Sequence, residues 1–489
     1  MLDLVSAGQF VQASKAVRAS LKLLKPRLSL IHPHDPSAKK SARSQQELLP
    51  LLRLQEHWSV VSMCLAKRIN NLAPLSSFKK LEKLVLDCCD LTDLTPLAEC
   101  SALVNLKLLE CMRITNFNPL AQCKKLTHFE LNMNNSITHL APLAECQQLE
   151  QLVLWECKNI NNVVPLAECK KLTHVSLHAC EGITDLVPLA GCQQLTHVAL
   201  WGCESITHLE PLAECKKLTH FSLHACKLIT DLSPLAECQQ LTHFQLETKP
   251  VTRVSSHMAI IDLSPLAKCK QLAHFELISN SITDISPLAK CKQLANFGLS
   301  SDSITDLSPL AKCQQLSRVC LSKCNIADLS PLAECQHLTH LTLRRLTSLT
   351  DLTPLAMYTK LVHLELDDCQ GRQNGHGIAD LSPLAECQQL THITMHHLSK
   401  VTDLTPLAKC QQLTRITLHH LFSVTDLTPL AECQQLAYFH VLDCGQRQRR
   451  TSRHGVAHQA IAMSSGEWLL YMNGLYSKRG TLKSIIQYI

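Results

Sequence analysis

The side chains able to do chemistry here are histidine, cysteine and tryptophan, and they recur at fixed spacing. Of 489 residues, 26 are histidine and 26 are cysteine. One series runs His128, His174, His197, His220, His243, His274, His340, His363 and His392. Four residues further along the same segments stand Trp155, His178, Trp201 and His224. His396, His397, His419 and His420 follow towards the C-terminal end. Imidazole titrates near neutrality and ligates metals, so such rows admit three readings. A copied Thr-His pair is simply tolerated on an exposed strand. Alternatively the row binds a protein segment, with Trp201 between His178 and His224 as an amphipathic anchor. Stacked imidazoles could also sense protons or hold a metal. That needs four ligands to converge, which a flat ladder does not offer, so no metal site is expected.

The cysteines read as packing residues. Fourteen sit four positions after a recurring proline, as Cys192 does, and nine sit fifteen positions after it, as Cys203 does. Free cysteine at such places behaves as a small buried hydrophobe. Equivalent thiols on neighbouring units would scramble in an oxidising compartment, so a reducing one is expected, the cytoplasm or nucleus. No CxxC pair supplies structural zinc spacing, and only Cys320 and Cys324 form CxxxC. No nucleophile elbow, phosphate-cradling glycine loop or HExxH motif is present. No catalytic residue and no cofactor are expected.

The elements that position these side chains follow from the proline. Sixteen Pro-Leu pairs run from Pro74 to Pro429, and thirteen of the fifteen gaps between them are 22 or 23 residues. A fixed period of that size means units stacked in a row, each burying its neighbour. In the unit Ile183 to Ser205, Leu195, Val198 and Leu200 form LxxLxL. The alternation predicts a strand over Thr196 to Trp201, with Val198 and Leu200 inward and His197, Ala199 and Trp201 outward. Cys203 marks a position held elsewhere by Cys226, Cys324, Asn134 and Asn280. Ten of the sixteen prolines follow Ser or Thr, which suits a helix start, so a short helical turn Pro-Leu-Ala-x-Cys is expected opposite the strand. Asp185, Asp231 and Asp306 recur with the unit and read as structural.

These residues carry a family resemblance. LxxLxLxxC/N followed by Ile or Leu resembles the leucine-rich repeat. The ladder cysteine followed by xxIT is similar to the class found in F-box proteins, and ITDLSPLA at Ile229 to Ala236 resembles internalins and phosphatase-regulator repeats. The resemblance implies an α/β fold, a leucine-rich-repeat solenoid. Such a solenoid is a curved right-handed superhelix with a parallel sheet on its concave face and short helices or 3-10 turns on its convex face.

Around the array, residues 1–57 read as an N-terminal helical cap or extension, with an amphipathic helix over Leu2 to Leu24. Residues 58–444 form the repeats, about 16–17 of them, with insertions near 247–261 and 370–377. Trp58, Val61, Met63 and Ile69 read as a worn first copy, in the places of Leu195, Val198, Leu200 and Ile206. Residues 445–489 read as a basic linker and C-terminal cap or tail. Net charge is +6, split as +5 before residue 58, −5 in the array and +6 after residue 444. An acidic array does not favour nucleic acid. No apolar run is long enough to span a membrane and no signal peptide is evident. The expected function is a non-enzymatic, monomeric scaffold that binds a protein partner on the concave face. The residues expected to bind are His128, Trp155, His174, His178, His197, Trp201, His220, His224, His243 and His274. The resemblance leaves two alternatives, a substrate adaptor of a ubiquitin ligase and an internalin-like receptor-binding effector.

Overall fold

The structure, a computed structural model, describes residues 27–29, 59–66, 69–87, 89–248, 260–369, 377–442, 444 and 461–464. They form two compact units, one reaching Leu241 and including Ile260, the other made of residues 242–248 and those from 261 onward. The expected N-terminal helix, most of both insertions and most of the basic C-terminal segment lie outside the described residues.

The first unit stacks parallel strands β1 (Arg27–Ser29), β2 (Ser59–Ala66), β3 (Lys83–Asp87), β4 (Asn105–Leu109), β5 (His128–Asn132), β6 (Gln151–Trp155), β7 (His174–His178), β8 (His197–Trp201) and β9 (His220–His224). The second stacks β10 (His243–Glu247), β11 (His274–Ile278), β12 (Asn296–Ser300), β13 (Arg318–Ser322), β14 (His340–Arg344), β15 (His363–Asp367), β16 (His392–His396), β17 (Arg415–His419) and β18 (Tyr438–Leu442), all parallel. Its last strand is β19 (Ile461–Ser464), which runs antiparallel to β18 and covers an edge that would otherwise be open. Strands pair in register, His174 with His197 and Val175 with Val198, so side chains line up in columns.

One coil shows how the repeat holds. Val198 and Leu200 point inward and are 2% and 0% exposed, as their alternation predicts. Removing such a side chain from water contributes about 1.5–3 kcal/mol. After the turn the chain makes a five-residue 3-10 helix, Val187–Gly191 before β8 and Glu210–Glu214 after it. A single turn of this kind is stable only when packed. Its N-terminus departs from expectation. The Ser or Thr before proline lies inside the turn and caps nothing. The cap is the aspartate two residues earlier: Asp231 Oδ1 accepts the Ser233 amide at 2.8 Å and its hydroxyl at 2.5 Å. Asp93, Asp185, Asp306 and Asp403 take the same place at their own turns.

Both cysteine columns are buried apart from Cys444 at the end, and their thiols reach backbone carbonyls. Cys192 Sγ donates to Leu166 O at 3.3 Å and Cys203 Sγ to Leu177 O at 3.3 Å, each one coil back. Burial pushes the Cys123 thiol up to about 12, so it stays protonated and inert. Tyr358 replaces the cysteine in one coil and sends its hydroxyl to Leu329 O at 2.7 Å.

Two registers differ from expectation. Met63 pairs with Leu84 and Leu65 with Leu86, so Met63 and Leu65, both buried, take the places of Val198 and Leu200, two positions later than expected. Alternation has period two and leaves such a slip undetermined until a neighbour pairs. Asn280 is exposed, and Ser279, 3% exposed, holds the buried position instead. The 22-residue coil has lost the residue that elsewhere separates strand from ladder. That residue is left-handed: Glu110, Met133, Glu156, Ala179, Lys323, Arg345, Asp368, His397 and His420 lie at φ 48–56°, with Gly202 at 63°. Its amide continues the inter-strand bonding, as from Ala179 N to Trp201 O at 2.6 Å.

Candidate interaction face

The first column is built by a threonine before each histidine. Thr173 Oγ1 lies 2.9 Å from Glu150 O and 2.8 Å from His174 Nδ1. Thr196 repeats this with Thr173 O at 3.1 Å and His197 at 2.8 Å, and Thr219 with Thr196 O at 3.1 Å and His220 at 2.9 Å. A hydroxyl has one proton, and the carbonyl can only accept, so that proton goes to the carbonyl. The imidazole must then donate through Nδ1–H, which fixes the neutral tautomer and ring plane. Thr127 with His128, Thr339 with His340 and Thr391 with His392 follow the same rule.

Held this way, the rings stack. His174 and His197 have centroids 4.0 Å apart at 14°, and His197 and His220 repeat those values. His128 lies apart, because Gln151 occupies the strand between it and His174. Burial and His128 together hold His174 below the usual imidazole range.

The second column is an alternating stack on β6 to β9. Trp155 lies on His178 at 4.2 Å and 12°, His178 meets Trp201 at 5.0 Å and 49°, and Trp201 lies on His224 at 4.2 Å and 23°. Ser176 Oγ fixes His178 Nε2 at 2.7 Å, and Trp155 Nε1 donates to Glu156 at 3.3 Å. Both indoles stay open, Trp155 41% and Trp201 39% exposed, whereas His224 is 8% exposed. His224 therefore supports Trp201 rather than presenting a surface. Between the columns β7 to β9 carry only Ser176, Ala199 and Ser222, a low floor beside an aromatic wall.

The last two expected residues, His243 and His274, belong to the second unit and stack at 3.9 Å and 11°. His274 has the opposite hydrogen-bonding sense: with Ala273 in place of threonine, Asn296 Nδ2 donates to its Nδ1 at 2.9 Å. His340, His363 and His392 follow at looser spacings of 5.7 and 5.8 Å. Towards β18 a denser group forms. His396 stacks on His419 at 4.5 Å and 2°, His397 on His420 at 4.6 Å, and His419 Nε2 lies 3.0 Å from His440 Nδ1. His440 on β18 and Asp367 on β15 carried no sequence signal, since each stands outside the Thr-His pattern. Among the described residues no three His, Cys, Asp or Glu side chains form a ready-made metal cage.

Solved structures share this architecture. A leucine-rich repeat protein of Leptospira interrogans aligns at TM-score 0.62 and 13% identity, over 81% of this chain and 98% of that one. An internalin of Listeria monocytogenes aligns at TM-score 0.50 and 20% identity, over 78% and 94%. This chain is a leucine-rich-repeat solenoid. A structure of TLR13 with single-stranded RNA carries the same repeat fold, at TM-score 0.55 and 14% identity over 77% of this chain and 60% of that one. At such identities the likeness is one of fold alone. No protein-family profile matches the chain, and no curated protein does. No helix among the described residues of the repeat array is long and apolar enough to cross a membrane.

Proposed function

We propose that the chain is a non-enzymatic scaffold that binds a protein partner on the open face of the first unit's sheet, the concave face of the expected arc. The observation that carries this reading is the pair of indoles. Trp155 and Trp201 stand 41% and 39% exposed on a rigid sheet, each pinned by a stacked imidazole. Exposed large apolar side chains cost solubility, and held rigid they lose little entropy on binding, so tryptophan dominates many interfaces. The adjoining floor of Ser176, Ala199 and Ser222 leaves room for a segment lying across the strands. Recurrence of the aspartates as caps accounts for them without catalysis. The array's acidic balance argues for a protein rather than a nucleic acid partner. The buried free thiols, packed against backbone carbonyls as at Cys192 and Cys203, fit a reducing compartment.

The test is affinity capture from cells with the full chain, comparing wild type with Trp155→Ala and Trp201→Ala. Both positions are outward, so the variants keep their melting temperature. Captured partners should fall by at least about tenfold, the scale of an interface anchor. Unchanged capture by both folded variants rules this face out.

A further inference from the structure

The densest group of ionisable side chains lies outside the proposed interface, on β15 to β18 of the second unit. His419 Nε2 and His440 Nδ1 are 3.0 Å apart, with their rings crossed at 86°. Neutral imidazoles at that distance share one proton, one ring donating and the other accepting. Moving the donor's proton to its other ring nitrogen leaves two lone pairs at the same place, with no net proton released. His396 lies parallel to His419, and its Nε2 is buried without a hydrogen-bond partner. Asp367 Oδ1 stands 3.5 Å from His397 Nδ1 and 3.9 Å from His396 Nδ1, so a carboxylate borders the group.

We infer that His419 Nε2 and His440 Nδ1 form an open site for a divalent late-transition-metal ion, Cu²⁺ or Ni²⁺ in preference to Zn²⁺. The separation decides the preference. Two metal–nitrogen bonds of about 2.0–2.1 Å spanning 3.0 Å enclose about 95°. That is the cis angle of square-planar or octahedral coordination; a tetrahedral pair would stand about 3.3–3.4 Å apart. Small tilts of both rings that keep the two nitrogens about 3 Å apart bring the lone pairs onto one ion. Water fills the remaining positions. Glu365 lies on the same face but is already held by Arg344 at 2.7 and 3.0 Å, and Arg415 is stacked over Tyr438 at 4.7 Å.

The experiment titrates Cu²⁺ into the full chain and reads bound nitrogens by electron paramagnetic resonance and affinity by calorimetry. One equivalent with at least two coupled nitrogens is expected, bound at least tenfold more tightly than by His440→Ala or His419→Ala. His178→Ala, in the first unit, should leave that equivalent unchanged. Copper–ascorbate oxidation of wild type, mapped by mass spectrometry, gives a reading that needs no variant. It should mark His419 and His440 first. Equal copper affinity and nitrogen coupling in the His419→Ala/His440→Ala double variant, or oxidation scattered over the other histidines, overturns the site.

Discussion

A single carboxylate caps the turn in most repeats, as at Asp93, Asp185, Asp231, Asp306 and Asp403. Asp231 Oδ1 takes both the Ser233 amide and its hydroxyl, and these bonds hold its carboxyl below the usual range. Asp231→Ala should cost about 1 kcal/mol, within the range for lost helix caps, measured by urea unfolding. Asp231→Asn, which keeps an acceptor, should cost less. The pH dependence has two windows of opposite chemistry. His419, and with it His174, His178, His340, His363, His392 and His396, has a folded pKa below its unfolded value. The unfolded chain therefore binds more protons as pH falls below 6.5, and stability declines from there towards pH 4, where His419 titrates in the fold. The capping aspartates act lower. Their folded pKa values are depressed, so their contribution is complete above 3.8 and is lost as pH falls through the folded values. Melting temperature against pH should show the first decline in wild type and a smaller one in His419→Phe. A flat profile between pH 7 and 4 would contradict the burial of these rings.

At the scale of the element, the left-handed residue after the strand carries strain. Ala179 sits at φ 48°, while Gly202 fills the equivalent place in the next coil at 63°. A non-glycine residue there costs roughly 1–2 kcal/mol, partly offset by the greater freedom of glycine when unfolded. Ala179→Gly should therefore stabilise by about 0.5–1 kcal/mol, seen as a higher denaturant midpoint. The thiol columns make a second prediction for the element. Among the described cysteines only Cys320 is exposed and Cys444 partly so. Ellman titration of native protein should count few fast thiols, and denaturation should release the rest. Rapid reaction of many thiols in the native state would mean that the ladders are not packed.

At the scale of the molecule, stability is a sum over stacked coils, and neighbouring side chains differ sharply in what they support. Leu200 is fully buried between β7 and β9, and Trp201, the next residue, faces solvent. Leu200→Ala should destabilise the first unit by about 2–5 kcal/mol. Because each coil leans on its neighbours, hydrogen exchange should rise on β7 and β9 as well as on β8. Trp201→Ala should leave that exchange unchanged while reducing partner capture. The contrast separates fold from interface within one dipeptide.

Much of this was legible in the chain alone. The 22- or 23-residue spacing of Pro-Leu, the LxxLxL alternation and the regular cysteines determined stacked coils, the strand at His197 and its inward pair, because a repeated unit has one way to bury its leucines. They also determined that His174, His197 and His220 share one column. Tertiary packing decided the rest. The cap proved to be Asp231 and not Ser233, since the turn's first free amide belongs to the serine itself. Met63 and Leu65 displaced Val61 and Met63 because register needs a partner strand. His224 became a covered support for Trp201. His440 came within 3.0 Å of His419 diagonally across paired strands, a contact that the repeat period allows but only side-chain packing makes. Periodicity determines which face a side chain takes; only the packed neighbours decide what it touches.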